Sequence, residues 1–163
     1  MDKPTLHNCG EKSYQHIFIF HREHDGDRIG HTETMTIQEL IEKAAELQIS
    51  LSETQVKQLE QYAQLLAEWN EKMNLTAITE YGEILEKHFY DSILPLGKGK
   101  IFGKVADVGT GAGFPGLVWE IVKPELDVSL IEPTGKRCTF LEEVIHQLHL
   151  ENIHVYNTRA EEQ

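Results

Sequence analysis

A chain of 163 residues, 40% of them hydrophobic, can bury one core and is short for two. Its formal charge of -12 weighs against broad phosphate binding, which clustered lysine and arginine drive, and leaves room only for a local basic patch. No apolar run approaches the ~20 residues of a membrane helix, Met1-Asp2-Lys3-Pro4 lacks the pattern of a secretory leader, and Cys9 and Cys138 form no Cys-x-x-Cys pair. These features point to a soluble, cytoplasmic protein with neither a disulfide framework nor a thiolate metal site.

Residues 1–34 show no sustained apolar periodicity and hold one short strand-like run, Ile17-Phe18-Ile19-Phe20, between polar stretches. They are expected to form a poorly ordered extension, with residues 35–163 as the folded part. His7, His16, His21, His24 and His31 fall in this extension, but their spacings match no ligand pattern, so no metal is expected.

From Met35 the pattern is helical. Thr36-Ile37-Gln38-Glu39 and Ser52-Glu53-Thr54-Gln55 are capping boxes, each marking a helix start. Ile37, Leu40, Ile41, Ala44 and Leu47 follow the first; Val56, Leu59, Tyr62, Ala63, Leu66, Trp69 and Met73 follow the second, at the three-four spacing of a buried face. A third helix is expected around 83–94, with Ile84, Leu85, Phe89 and Ile93 inward and an end before Pro95.

The remainder alternates. Val105-Ala106-Asp107-Val108, Val128-Ser129-Leu130-Ile131 and Ile153-His154-Val155-Tyr156 read as strands, separated by helices over Pro115 to Val122 and Lys136 to Leu148. This β-α-β-α-β order implies an α/β fold with a parallel, doubly wound sheet.

Chemistry concentrates after the first of these strands. Gly109, Gly111 and Gly113 allow a tight turn and close approach of a ligand to bare backbone before a helix. Gly111 to Gly116 literally satisfies the dinucleotide pattern Gly-x-Gly-x-x-Gly, but the strand already ends at Gly109, giving Asp-x-Gly-x-Gly-x-Gly. Asp107 can hold the ammonium of S-adenosylmethionine or order the loop, whereas it would repel a pyrophosphate. Glu132, at the end of the second strand, can accept hydrogen bonds from ribose hydroxyls. The cofactor reading is therefore S-adenosylmethionine.

The ordered segments Trp69 to Thr79, Lys87-His88-Phe89-Tyr90-Asp91-Ser92, Asp107 to Gly116, Gly135-Lys136-Arg137 with Phe140-Leu141, and Arg159-Ala160-Glu161 resemble the bacterial small-subunit ribosomal RNA guanine-N7 methyltransferases, also called glucose-inhibited division protein B. The resemblance runs from about Met35 to Gln163. It implies a Rossmann-like, S-adenosylmethionine-dependent methyltransferase acting on 16S ribosomal RNA or a small-subunit precursor. It also implies that Gly109 and Phe114 line the cofactor and that Ala160 and Glu161 flank its adenine.

Guanine N7 has a lone pair and no proton to lose, so no catalytic acid or base is named. Asn74, His88 and Asp91 are candidates for binding substrate, with Lys72 beside Asn74; His88 and Asp91 could instead steady the cofactor, a solvated helix face is the alternative for that pair, and a helix-terminal polar cluster is the alternative for Asn74 and Lys72. A family member would begin near Met35 and continue past Gln163 through further strands. With only three strands present, Val105 to Val108 would form an exposed apolar edge prone to self-association. An inactive remnant or a cofactor-binding module without methyl transfer is the alternative function.

Overall fold

The structure, a computed structural model, describes residues 16–19 and 34–158, the first group as backbone. A four-stranded parallel sheet runs in the order β1 (His16–Ile19), β2 (Lys104–Val108), β3 (Asp127–Ile131) and β4 (Ile153–Tyr156). Helices α5 (Gly116–Val122) and α6 (Gly135–Leu148) make the crossovers. Between β1 and β2 in the chain stand α1 (Ile37–Glu46) and α2 (Glu53–Met73). This is the α/β, Rossmann-like arrangement that the alternation of strands and helices implies, with parallel strands needing a helix to return each time.

Both capping boxes form. Thr36 Oγ1 accepts the Glu39 N–H at 3.1 Å and Ser52 Oγ accepts the Gln55 N–H at 3.1 Å, which satisfies donors that a helix start leaves without partners. Gln55 goes further: its Nε2 donates to the Ile121 carbonyl at 3.0 Å, tying the start of α2 to the end of α5.

The third helix is longer and less regular than its sequence suggests. It starts as α3 (Tyr81–Glu83), widens to a π-helix over Ile84–Tyr90, continues as α4 (Asp91–Ile93) and tightens to a 3-10 turn over Leu94–Lys98. Pro95 does not end it: the run changes there from α4 to a 3-10 turn, with the proline at the first positions of that turn.

One core, drawn from Met35 to Ile153, joins the N-terminal helices to a face of the sheet. Leu59, Tyr62 and Leu66 of α2, Phe89 of the π-helix, Leu117 of α5, Leu130 of β3 and Phe140 of α6 are fully buried in it. Trp119 is also enclosed, and its indole N–H donates to the Ser92 carbonyl at 2.6 Å.

The sheet corrects two expectations. The edge of β2 is not exposed: His16 pairs with Val105, Ile17 with Ala106, Phe18 with Asp107 and Ile19 with Val108. The sheet thus has a fourth strand, and it comes from the segment expected to be poorly ordered; residues 1–15 and 20–33 lie outside the described residues. Pairing satisfies the backbone groups of β2, so the argument for self-association through that edge falls away.

Candidate active site

Parallel strands bring their carboxyl ends to one edge, where loops after β2, β3 and β4 can meet. Backbone hydrogen bonds fasten them there. Gly109 N–H donates to the Ile131 carbonyl at 2.8 Å, Glu132 N–H to the Tyr156 carbonyl at 3.0 Å, and Thr158 N–H to the Glu132 carbonyl at 3.1 Å. Asp107, the glycine loop and Glu132 are therefore neighbours. Ala160 and Glu161 lie outside the described residues.

Asp107 is fully buried. Its Oδ2 accepts the Thr110 hydroxyl at 2.6 Å and the Gly116 N–H at 2.9 Å, so the carboxylate holds both ends of the loop. These contacts of Oδ2 order the loop. Gly116 is required by the same contact: a Cβ there would stand 2.3 Å from Leu130 Cδ2 and 2.8 Å from Asp107 Oδ2.

Glu132, 2% exposed, uses both carboxylate oxygens. Oε1 accepts the Gly111 N–H at 3.0 Å and Oε2 accepts the Thr134 N–H at 2.8 Å, which links the loop after β2 to the start of α6. Each oxygen keeps lone-pair capacity for a ligand hydroxyl. Beside it, burial together with Glu132 and Glu142 pushes the Cys138 thiol above its ordinary range, and its Sγ donates to the Glu132 carbonyl at 3.3 Å.

The loop spends its donors internally. Besides the bonds of Gly109, Gly111 and Gly116, Thr110 N–H donates to the Ile131 carbonyl at 3.4 Å, and Gly113 and Phe114 N–H donate to the Thr110 carbonyl at 3.0 and 3.2 Å. A phosphate-binding loop works in the opposite way, aiming unspent N–H groups at the anion. Here a pyrophosphate would meet few donors and the Asp107 and Glu132 carboxylates. At Gly109 and Gly111, by contrast, the backbone turns through φ of +71° and +60° and nothing lies within 4 Å of where a Cβ would stand. These two positions leave room for an uncharged ligand face against the chain.

Two expected site residues sit elsewhere than expected. Phe114 is 4% exposed, its ring stacked in the core against His88 at 4.2 Å and Tyr62 at 5.5 Å, so it supports the loop from inside rather than offering an outer surface. His88 is fully buried, with its ring nitrogen Nε2 2.8 Å from Thr76 Oγ1; it cannot present itself to a macromolecular substrate. Asn74 is exposed and left-handed at the end of α2, with φ of 50°, and Asp91 is half-buried at the start of α4.

Other residues at the site escape the sequence. Tyr62 Oη donates to the Ala112 carbonyl at 2.5 Å, although its position in the stripe of α2 marks it only as core. Asn70 Oδ1 accepts the Thr76 N–H at 2.8 Å and so shapes the turn after α2. The short Trp69 to Thr79 motif was the available signal for the second contact; none existed for the first.

Among the described residues no group of three or more His, Cys, Asp or Glu side chains is placed to hold a metal ion, and no helix is long and apolar enough to cross a membrane.

Comparison with known proteins matches residues 55–163 to the family described as rRNA small subunit methyltransferase G. The chain is 47% identical over 131 residues to Ribosomal RNA small subunit methyltransferase G of Streptococcus sanguinis (strain SK36), covering 78% of this chain and 55% of the relative. The protein of that name from Lactococcus lactis subsp. cremoris (strain SK11) gives the same figures: 47% over 131 residues, 78% and 55%. That of Streptococcus pneumoniae serotype 19F (strain G54) is 49% identical over 121 residues, covering 72% of this chain and 51% of the relative. The chain spans about half the length of the curated relatives it matches.

Proposed function

Since this chain belongs to the rRNA small subunit methyltransferase G family, we propose that it binds S-adenosylmethionine at the carboxyl edge of β2 to β4 and methylates guanine N7 in 16S ribosomal RNA, in the cytoplasm. Residues 35–163 form the working unit, and residues 1–34 extend it and add β1 to the edge of its sheet.

The observation that carries the cofactor reading is the hydrogen bonding of the loop. With the N–H groups of Gly109, Thr110, Gly111, Gly113, Phe114 and Gly116 committed within the protein, the loop suits a ligand without phosphates. The open space over Gly109 and Gly111 accommodates it, and the Glu132 carboxylate has acceptor capacity for ribose hydroxyls. Asp107 shapes the loop, and Ala160 and Glu161, which follow β4, are assigned to the adenine. When bound, S-adenosylmethionine supplies an electrophilic methyl group on a sulfonium.

What the protein must add is placement. Guanine N7 attacks with its own lone pair and loses no proton, so no side chain needs to act as base, and fixing the two reactants in line is the main lever. Asn74 and Lys72, exposed at the end of α2, are the residues assigned to the RNA side.

Calorimetric titration of the chain with S-adenosylmethionine and with NAD tests the cofactor, and transfer of labelled methyl to small ribosomal subunits lacking that methyl tests the reaction. Binding of the first and not of NAD, with label recovered at a guanine, is the expected outcome. NAD binding in its place overturns the assignment, and cofactor binding without transfer leaves the chain a binding module.

A further inference from the structure

Apart from Lys72 and Asn74, the motif from Trp69 to Thr79 and the motif from Lys87 to Ser92 have no role in the reading above, yet they meet behind the cofactor loop. Asn70 Oδ1 accepts the Thr76 N–H at 2.8 Å, which fixes the turn that follows α2. Thr76 Oγ1 accepts the Ile78 N–H at 3.1 Å and lies 2.8 Å from Nε2 of His88. His88 is anchored again through its carbonyl, which accepts the Ser92 hydroxyl at 2.6 Å. Its ring lies flat on the ring of Phe114, with centroids 4.2 Å apart and planes 7° from parallel.

Phe114 is the inner anchor of the loop, with Gly113 before it and Pro115 after it. Its other neighbours in the stack are Tyr62 at 5.5 Å and Phe89 at 6.1 Å, both fully buried. Tyr62 also holds the Ala112 carbonyl. The loop thus has an outer side committed to the β3 end through Glu132 and an inner side seated on His88 and Tyr62. A ring that rotates or slides under Phe114 moves Gly113 and, through the Thr110 carbonyl that takes the Gly113 and Phe114 N–H groups, the whole turn.

His88 has a reason to stay still. An imidazole rotates about two side-chain torsions unless a partner fixes the ring plane, and the Thr76 hydroxyl is that partner at Nε2. The π-helix from Ile84 to Tyr90 carries His88 inward; such widened turns recur at functional sites.

We propose that Thr76 and His88 are positioning residues for the cofactor loop: Thr76 fixes the plane of the His88 ring, and that ring seats Phe114 and with it Gly111 to Gly116. This rests on the assignment of that loop to S-adenosylmethionine, and two readouts keep the two ideas apart.

Thr76→Val keeps the side-chain shape and removes the hydroxyl, and Thr76→Ser returns it. Hydrogen exchange of the peptide spanning residues 110–116, measured without ligand, reports the loop; calorimetric titration with S-adenosylhomocysteine reports the site. Thr76→Val removes the contacts of Oγ1 with both His88 Nε2 and the Ile78 N–H, whereas a change at His88 removes only the first, and the loss of one such hydrogen bond corresponds to up to about a tenfold change. Thr76→Val is expected to exchange about tenfold faster at 110–116 than the parent, with peptides of α6 unchanged, and to bind the probe about fivefold to tenfold more weakly; Thr76→Ser matches the parent in both. His88→Phe, which keeps a flat ring without Nε2, behaves like Thr76→Val. Unchanged exchange at 110–116 in Thr76→Val overturns the proposal, as does acceleration spread evenly over the whole chain, which marks a merely structural role. A parent chain that does not bind the probe removes the cofactor assignment, and the exchange measurement still decides the positioning role.

Discussion

Glu132 Oε1 accepts the N–H of Gly111 at 3.0 Å across a sequence separation of 21 residues, while its Oε2 accepts the N–H of Thr134 at 2.8 Å. A carboxylate suits this position because both of its oxygens accept. In Glu132→Gln one of the two backbone N–H groups faces an amide NH2 instead. A buried donor left without its partner costs about 1–3 kcal/mol. Thermal unfolding should show that loss, and titration with S-adenosylmethionine should show weaker binding than in the parent; equal stability and affinity would contradict the linking role.

The glycines of the loop separate into two kinds that mutation distinguishes. Gly116→Ala drives a methyl to 2.3 Å from Leu130 Cδ2 and 2.8 Å from Asp107 Oδ2, so the variant is expected to lose about 2–3 kcal/mol in urea unfolding. Gly109→Ala meets open space but retains a φ of +71°, which costs an L residue only about 1–2 kcal/mol. Its methyl projects into the room assigned to the ligand. Cofactor affinity should therefore fall further in Gly109→Ala, relative to its stability loss, than in Gly116→Ala.

Glu120 gives the protein a pH dependence unconnected with the site. It is 2% exposed; its Oε1 accepts the Asn152 N–H at 3.0 Å and its Oε2 has no hydrogen-bond partner among the described residues. Burial, with Asp127 and Glu125 adding to it, pushes the carboxyl up to about 8 from an ordinary 4.5. The folded state therefore keeps a proton that the unfolded chain releases. Stability attributable to Glu120 is full below the ordinary value and declines as pH rises toward 8, by on the order of 5 kcal/mol in total. Urea midpoints at pH 5.5, 7 and 8.5 should fall in the parent and fall much less in Glu120→Gln; parallel curves would show that Glu120 does not govern the trend.

The strand from the N-terminal segment has a testable structural consequence. Replacing both Ile17 and Phe18 by proline removes the one ladder donor that this adjacent pair turns toward β2, whichever residue carries it, and breaks a four-residue edge strand paired along Val105 to Val108. With that cover gone, the edge of β2 presents unpaired backbone groups. Light scattering at raised concentration should give a larger mean mass for the double variant than for the parent. The same mass for both would mean that β1 is dispensable as a cover.

Much of the fold is legible in the residues because local rules and tertiary structure agree there. Thr36 and Ser52 start helices by satisfying backbone donors within three residues, and strands β2, β3 and β4 fall within one residue of their apolar runs. The fourth strand was legible only as a run from Ile17 to Phe20. Its partner lies some ninety residues away, and no local pattern states which edge a lone strand will join.

The order of residues alone determined the membership of the chain, its parallel β-α-β-α-β frame and the place of the glycine loop, since spacing of turn residues and apolar periods encodes these directly. Which groups of that loop are committed within the protein was decided by the tertiary structure. Hydrogen-bond partners such as Glu132 for Gly111, Asp107 for Gly116 and Tyr62 for Ala112 come from separate elements. The same holds for His88 and Phe114: each reads as an outward site residue by motif, and both are drawn inward because two flat rings packed against Tyr62 and Phe89 bury more apolar surface than either could at the edge of the sheet.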